Sequence, residues 1–571
     1  MTYRHLLAAP FLAGSLALTF AAGLSGRHTP DIGTEGMVAS AEVHATAAGF
    51  EILEAGGNAA DAAVAVGFAL AVTYPAAGNL GGGGFLVFRS AEGAVSTLDY
   101  RETAPQAATA NLFLGPDGEP VPELSTRSLL ASGVPASVAG MLETFERFGG
   151  GKLSLRRVLA PAIRLAEEGF PVYPELAEGL AEDRERLAAI PSTAALLYPG
   201  GRPLRTGEIF HQPDLARVLR EIAGRGRDGF YRGWVADSLH NFMQQGGGLI
   251  TRDDLARYRA KPRPPVIVNY KGYRLYSMGP PSSGGVTLGQ ILGLVEPFDL
   301  AAVGRNSALY ANHLVEAERL AFADRNHFLA DPDFVDVPVA GLLSPEYLAG
   351  RRLLMPSGRA GSSRQAGPGR PEPDQTTHFC IVDKWGGAAS VTTTLNSGFG
   401  NGYMVPGCGF FLNNEMDDFT AAPGRPNIAG LVMGRANAIA PGKRMLSSMT
   451  PTIVTRLGDN GTEKLFLVLG ASGGPTIITS VLQVFLNVVA FGLNVREAVD
   501  APRFHHQHLP DVVSAEPETF SRETRAALET MGYEINERKY IGRVSAVRVR
   551  EDGLLEGWAD GAGAGSGTGW R

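Results

Sequence analysis

Residues 371–419 read PEPDQTTHFCIVDKWGGAASVTTTLNSGFGNGYMVPGCGFFLNNEMDDF, and the fold turns on how this stretch is read. A polar run ends at Gln375, two threonines follow, and the pattern becomes that of a strand over 377–383, a turn at Lys384–Gly387 and a return strand over Ala388–Leu395. Within the first strand His378, Cys380 and Val382 share one face and Phe379 and Ile381 the other. A strand covered on both sides is expected from that pattern. A third strand is expected over Phe410–Leu412, leading into Glu415, Asp417 and Asp418. Upstream, Met355–Gln375 has almost no apolar residue and cannot bury itself, so it reads as a mobile, solvent-exposed linker.

The junction at Thr376 has chemical consequences. A threonine hydroxyl is a weak nucleophile until a base takes its proton, and the simplest base is the residue's own free α-amine, with a pKa of about 8. That amine exists only if the chain is cut before Thr376. Attack of Thr376 Oγ on the Gln375 carbonyl, followed by hydrolysis of the ester, would free it. The plainer reading is that Thr376 and Thr377 open a strand, where threonine is favoured. What tips the balance is the polar set that paired strands would gather: Thr394 and Asn396 from the hairpin, with Glu415, Asp417 and Asp418 beyond it.

The rest of the chain bounds the possibilities. With 571 residues, 44% of them apolar, a large core can be buried, and a net charge of −7 without a basic stripe excludes a nucleic-acid binder. Residues 1–26, with Arg4 before an apolar run over Leu6–Leu24, have export-signal architecture. Removal near Ala22–Gly26 is favoured over a membrane anchor, which implies a periplasmic or secreted protein. Cys380 and Cys408 are the only cysteines, so a Cys-based zinc site and a disulfide scaffold are excluded; two separate buried thiols are favoured over one bond. Val38–Tyr74 reads as two buried helices broken at Gly56-Gly57-Asn58. The glycine run Gly81–Gly84 lacks the Gly-Lys-Ser/Thr ending of a phosphate loop and suggests close backbone approach instead. Arg101, after a strand over Ser96–Tyr100, could present a fork to a carboxylate or simply pair with Glu102. Helical patterns over 128–247 suggest an outer layer, 264–278 alternates like strand, and Ser307–Leu329 is a long helix.

The motifs GNAADAAVAVGFALAV, GNLGGGGF, DYRETAP, PPSSGG, ADRNHFLADPDF, TTHF, LNNEMDDF, KRMLSSMTPTIV and APRFHHQ run in order from about Gly36 to Val549. By them the chain resembles the γ-glutamyltransferase (glutathione hydrolase) family of N-terminal-nucleophile (Ntn) hydrolases. The resemblance implies an α+β fold, a four-layer αββα sandwich of two stacked, mainly antiparallel sheets flanked by helices. It implies a precursor cut into a large subunit, 27–375, whose linker is 355–375, and a small subunit, 376–571, that together form a heterodimer. Thr376 then resembles the nucleophile and Thr394 its hydroxyl partner, with the N–H groups of Gly473 and Gly474 as the oxyanion hole. Arg101, Ser447 and Ser448 resemble the binders of the glutamyl carboxylate, and Asn396, Glu415 and Asp418 those of its ammonium. The implied reaction cleaves γ-glutamyl amides such as glutathione and passes the glutamyl group to water, an amino acid or a dipeptide, with no cofactor or metal. Two departures stand out: Ala429 lies in the lid loop where some bacterial members carry tyrosine, and the tail GWADGAGAGSGTGWR is richer in glycine than usual.

Three alternatives compete with that reading. Gly470-Ala471-Ser472-Gly473-Gly474 follows a strand over Leu465–Leu469, which is the setting of a serine-esterase elbow, with His505 or Asp511 as conceivable partners. A related Ntn amidase such as a cephalosporin acylase would use the same threonine. An exported binding protein that is never processed would keep the pocket without turnover. His505-His506-Gln507-His508 invites a metal reading, but no acidic or cysteine partner at a recognised spacing supports it.

Overall fold

The computed structural model describes residues 29–363 and 376–560, together with the backbone of a strand at Ser566–Trp570. The expected signal segment and residues 364–375 of the expected linker lie outside the described residues.

Two seven-stranded antiparallel sheets form the centre. The first runs in the order Ser566–Trp570, Gly36–Ser40, Thr376–Val382, Ala388–Thr394, Gly83–Arg89, Val95–Tyr100 and Lys261–Arg263. The second runs Asp31–Gly33, Leu555–Ala559, Arg543–Val549, Glu463–Ser472, Thr452–Leu457, Tyr273–Ser277 and Val266–Tyr270. Each sheet therefore interleaves strands from before and after residue 376. A cut at that point would separate neither sheet, because every fragment strand keeps ladder partners from the other fragment or from its own hairpin.

The layering follows from side-chain alternation. Phe379 and Ile381 pack outward with the helices Val43–Glu54, Ala59–Thr73, Ser137–Phe148 and Leu155–Glu168. Cys380 and Val382 point inward and meet Ile453, Val468 and Val547 of the second sheet. Beyond that sheet lie the helices Gly284–Val295, Ala308–Phe328 and Thr476–Val489. The result is the αββα order that the family resemblance implies. All fifteen residues of Ala59–Thr73 are buried, which is why its sequence is alanine-rich on every side rather than amphipathic. Its start is fixed by a capping box: Asn58 accepts from the Ala60 and Asp61 N–H groups while Asp61 accepts from the Asn58 N–H.

Three local expectations need correction. Val38–Ser40, read as helix, belongs to the strand Gly36–Ser40, whose fully buried small residues fit between the layers. Phe410–Leu412, read as a strand, makes only isolated bridges to Gly81 and Met404, because Gly407 and Gly409 at φ 70° and 72° turn the chain just before it. The first part of the linker is docked rather than free. Gly358 N–H donates to Asn312, Gly361 N–H to Glu316 at 2.9 Å and Ser363 N–H to Asp511 at 2.6 Å, and Arg319 donates to the buried Ser363 hydroxyl.

Candidate active site

Thr376 is the first residue of its strand and pairs directly with Thr394, the last residue of the neighbouring one. On its other edge the register with Gly36–Ser40 runs only over Cys380–Val382, so the Thr376 end is held mainly from one side. The two hydroxyl oxygens lie 3.4 Å apart, and Thr394 Oγ1 accepts from the Asn396 N–H at 2.7 Å. Asn396 adopts φ +75°, uncommon for a residue with a side chain, and its Nδ2 donates to the Asn414 carbonyl. The amide oxygen is then the group it can offer to an ammonium. Glycines 81–84 allow this crowding. A Cβ at Gly82 would lie 2.0 Å from the Thr394 carbonyl oxygen, and one at Gly81 2.0 Å from that of Phe411.

Arg101 is 1% exposed and stands at the centre of the charged half of the site. Nη1 lies 2.6 Å from Glu415 and 3.6 Å from Glu102, and Nη2 bonds Asp418. The exposed Arg101–Glu102 pair considered from sequence is thus replaced by a buried cluster in which Glu415 is the nearer acid. Burial alone would lower the arginine pKa, but Glu415, Asp418 and Glu102 outweigh it and hold the guanidinium charged. Burial pushes all three carboxyl groups up against the pull of Arg101, Glu102 to about 8. Neither oxygen of Glu102 or of Glu415 has a hydrogen-bond partner among the described residues, so any proton retained at pH 7 belongs to the three-carboxyl cluster as a whole.

Ser447 and Ser448 are positioned by two motifs that carried no assigned role. Ser282 and Ser283 of PPSSGG donate to the carbonyls of Met449 and Ser447 at 2.5 and 2.7 Å. Arg325 of ADRNHF, fully buried, donates to the hydroxyls of Ser448 and Ser283 at 2.9 Å each. Burial lowers its pKa to about 10, with Asp418 pulling the other way. Sequence reasoning missed Arg325 because its partners lie 42 and 123 residues away; its place in a quoted motif was the available signal.

Gly473 and Gly474, at φ 128° and 55°, connect the strand Glu463–Ser472 to the helix Thr476–Val489. Their carbonyls accept from Thr476 and Ile477, whereas neither N–H donates to a described residue. Two N–H groups at the positive end of a helix suit an oxyanion. Thr376, Thr394, Asn396, Arg101, Glu415, Asp418, Ser447, Ser448 and Gly474 share the walls of one small cavity of about 30 Å³, joined by Arg325, Ala429 and Leu431. The loop carrying Ala429 is fastened over it. Ile428 N–H donates to Asp417 at 2.9 Å, Asn427 reaches Asp418 at 3.4 Å, and the Ala429 carbonyl accepts from Gln507 at 3.1 Å.

The competing constellations are dispersed. Ser472 is an ordinary extended residue paired with Arg543, and no hydrogen bond joins it to an imidazole among the described residues. His505 is bonded to Thr479 and Gln507, and His506 lies 3.2 Å from Asp511, which also holds Arg319. Gly470 is a glycine for packing: a Cβ there would lie 2.3 Å from the His378 ring. Cys380 and Cys408 are both buried free thiols in different core layers. No helix among the described residues is long and apolar enough to cross a membrane.

Comparison with known proteins gives a consistent answer. The Gamma-glutamyltranspeptidase family model matches residues 45–570. The glutathione hydrolase proenzyme of Escherichia coli strain K12 is 46% identical over 530 residues, covering 92% of this chain and 90% of that protein. The crystal structure of cephalosporin acylase from Bacillus halodurans superposes with a TM-score of 0.83 at 28% identity, covering all of both chains. That of Helicobacter pylori gamma-glutamyltranspeptidase gives 0.55 at 44% identity, over 56% of this chain and 92% of that one. The fold is an Ntn-hydrolase sandwich, and the chain belongs to the γ-glutamyltranspeptidase family.

Proposed function

We propose that this protein is a self-processing glutathione hydrolase and γ-glutamyltransferase. The observation that carries the reading is the Thr376–Thr394 hydroxyl pair at a strand end, sharing one cavity wall with Gly474 and the Arg101 cluster. In the precursor, Thr376 Oγ attacks the Gln375 carbonyl, the Thr376 nitrogen leaves as an amine, and water hydrolyses the resulting ester. Residues 27–375 and 376–571 then form the two subunits, which the interleaved sheets hold together.

In the mature enzyme the Thr376 α-amine takes the hydroxyl proton as Oγ attacks the γ-carbonyl of the substrate. The oxyanion sits at the Gly473 and Gly474 N–H groups, and collapse expels the leaving amine, which takes that proton. Water or an acceptor amine then cleaves the γ-glutamyl-Thr376 ester. Thr394 orients the nucleophile. Arg101, Ser447 and Ser448 hold the α-carboxylate, while Asn396, Glu415 and Asp418 hold the α-ammonium. The apolar run over Leu6–Leu24 supports export to the periplasm or medium.

Wild type should run as two bands on a denaturing gel and release aniline from a γ-glutamyl anilide. Thr376→Ala should stay as one band and lose that activity, whereas Ser472→Ala should keep both properties. Activity that survives Thr376→Ala but is abolished by Ser472→Ala would overturn the reading.

A further inference from the structure

A second, much larger cavity of about 930 Å³ adjoins the nucleophile's pocket. The two are separated by a thin wall, since residues that face them alternate along the chain: Asn396 and Ser397, Glu415 and Asn414, Asp418 and Asp417, Ala429 and Ile428. The wall nearest the proposed oxyanion glycines carries Arg543. It pairs in register with Ser472, and the preceding Gly542 is so close that a Cβ on Gly473 would meet its Cα at 2.8 Å.

Arg543 is underused for so sheltered a cation. Nη1 donates to the Tyr74 hydroxyl at 3.2 Å and the guanidinium lies over the Tyr540 ring at 5.0 Å, but its buried Nε has no partner among the described residues. Of the other cations lining the cavity, Arg186 is committed to Asp183 and to the carbonyls of Gly398 and Gly400, and Arg425 to Glu119, while Arg127 and Lys539 also line it but lack the buried, partnerless nitrogen of Arg543. Because Tyr74 accepts from Arg543, its own proton remains to be donated. A guanidinium fork and a phenol with a free proton, beside a wet cavity, are suited to a carboxylate.

The position matches one end of the substrate. An amide leaving group begins at the acyl carbon near Gly473 and Gly474 and extends away from the buried glutamyl pocket. A dipeptide reaches about 7 Å from its amine to its carboxylate, and the strand carrying Arg543 lies about 5 Å from the strand of Ser472. We propose that Arg543 and the Tyr74 hydroxyl form a carboxylate-binding subsite for the peptide that leaves, and for the amino acid or peptide that replaces it as acceptor. This rests on the γ-glutamyltransferase reading and adds to it the recognition of the amine partner: the enzyme favours partners that end in a free carboxylate at dipeptide length.

The test compares glutathione with its glycinamide, which differs only in the terminal carboxylate, using wild type and Arg543→Gln. In wild type kcat/KM should be about tenfold higher for the acid, the size of one charge-assisted contact open to water. In Arg543→Gln the ratio should fall below about twofold. Glycylglycine and its amide, used as acceptors, should follow the same pattern, which separates the acceptor role from the leaving-group role. A wild type that does not distinguish acid from amide overturns the subsite, whatever the variant does. So does a variant, processed into two bands like wild type, that keeps the full wild-type ratio. Cleavage of glutathione and an anilide without this discrimination would leave the parent reading standing, whereas cleavage of neither would overturn both.

Discussion

Arg101→Met removes the one cation around which Glu102, Glu415 and Asp418 are gathered. Methionine fills the stem of the arginine but leaves the acids facing one another, and ionised carboxylates cannot remain unpaired there. The cluster responds by binding a further proton. Keeping a glutamate neutral in the folded state costs about 3.7 kcal/mol at pH 7 and about 1 kcal/mol at pH 5, counted from an ordinary value of about 4.3 at 1.36 kcal/mol per unit. Asp418 is 18% exposed and can retain water, so the fully buried Glu415 sets the size of the effect. The sign follows from proton binding. The folded variant holds a proton that the unfolded chain releases above pH 4 to 5, so stability is lost as pH rises. Urea unfolding of wild type and variant at pH 5 and pH 7 should therefore show a difference that grows by about 3 kcal/mol across that interval. An equal loss at both pH values, or none at pH 7, would refute the account of Arg101 as the neutralising centre.

Other perturbations have equally definite outcomes. Arg325→Met removes the donor that fixes the Ser448 hydroxyl; KM for γ-glutamyl substrates should rise about 10- to 100-fold, as for a lost charge-assisted bond, and Arg325→Lys should recover part of it. Gly470→Ala places a methyl 2.3 Å from the His378 ring, between two sheets that cannot separate. The unfolding midpoint should drop by the equivalent of about 1–3 kcal/mol, and His378→Ala in the same chain should restore part of the loss, which would place the role of this glycine in packing rather than in an esterase elbow.

What the sequence made legible depended on the range of the interactions involved. The hairpin from Thr376 to Thr394 could be read because strand alternation and the Gly386-Gly387 turn are local, and Thr376 falls opposite Thr394 as a consequence. The long helix Ala308–Phe328 was legible from its helical period alone; that Ser307 caps it is a finding of the structure. Val38–Ser40 was not, since small apolar residues fit a helix or a buried strand equally well and only pairing with Cys380–Val382 decides between them. Residues 358–363 read as free because their anchors, Asn312, Glu316 and Asp511, lie 45 to 148 residues away. Glu102 looked like the partner of Arg101 because it was adjacent, while the nearer acid, Glu415, comes from the far side of the junction.

The charge pattern also determines what a substrate must carry. The cavity beside Thr376 is only about 30 Å³ because Arg101 is engaged by Glu415 and Asp418, and the Asn427–Leu431 loop rests on Asp417 and Asp418. On the roles proposed above, a γ-glutamyl group enters by taking over these contacts, its carboxylate replacing Glu415 and Asp418 on Arg101 while its ammonium replaces Arg101 on the acids. A zwitterion makes that exchange without leaving a buried charge unpaired. A glutaryl amide, which has the carboxylate but no ammonium, would strip Arg101 from its partners and leave them uncompensated, at a cost of about 3–5 kcal/mol. Its kcat/KM should be about 10²- to 10⁴-fold below that of the γ-glutamyl amide, and Asp418→Asn should narrow the gap by weakening only the better substrate. Comparable rates on glutaryl and γ-glutamyl anilides would mean that the acids do not read the ammonium and that Arg101 acts alone.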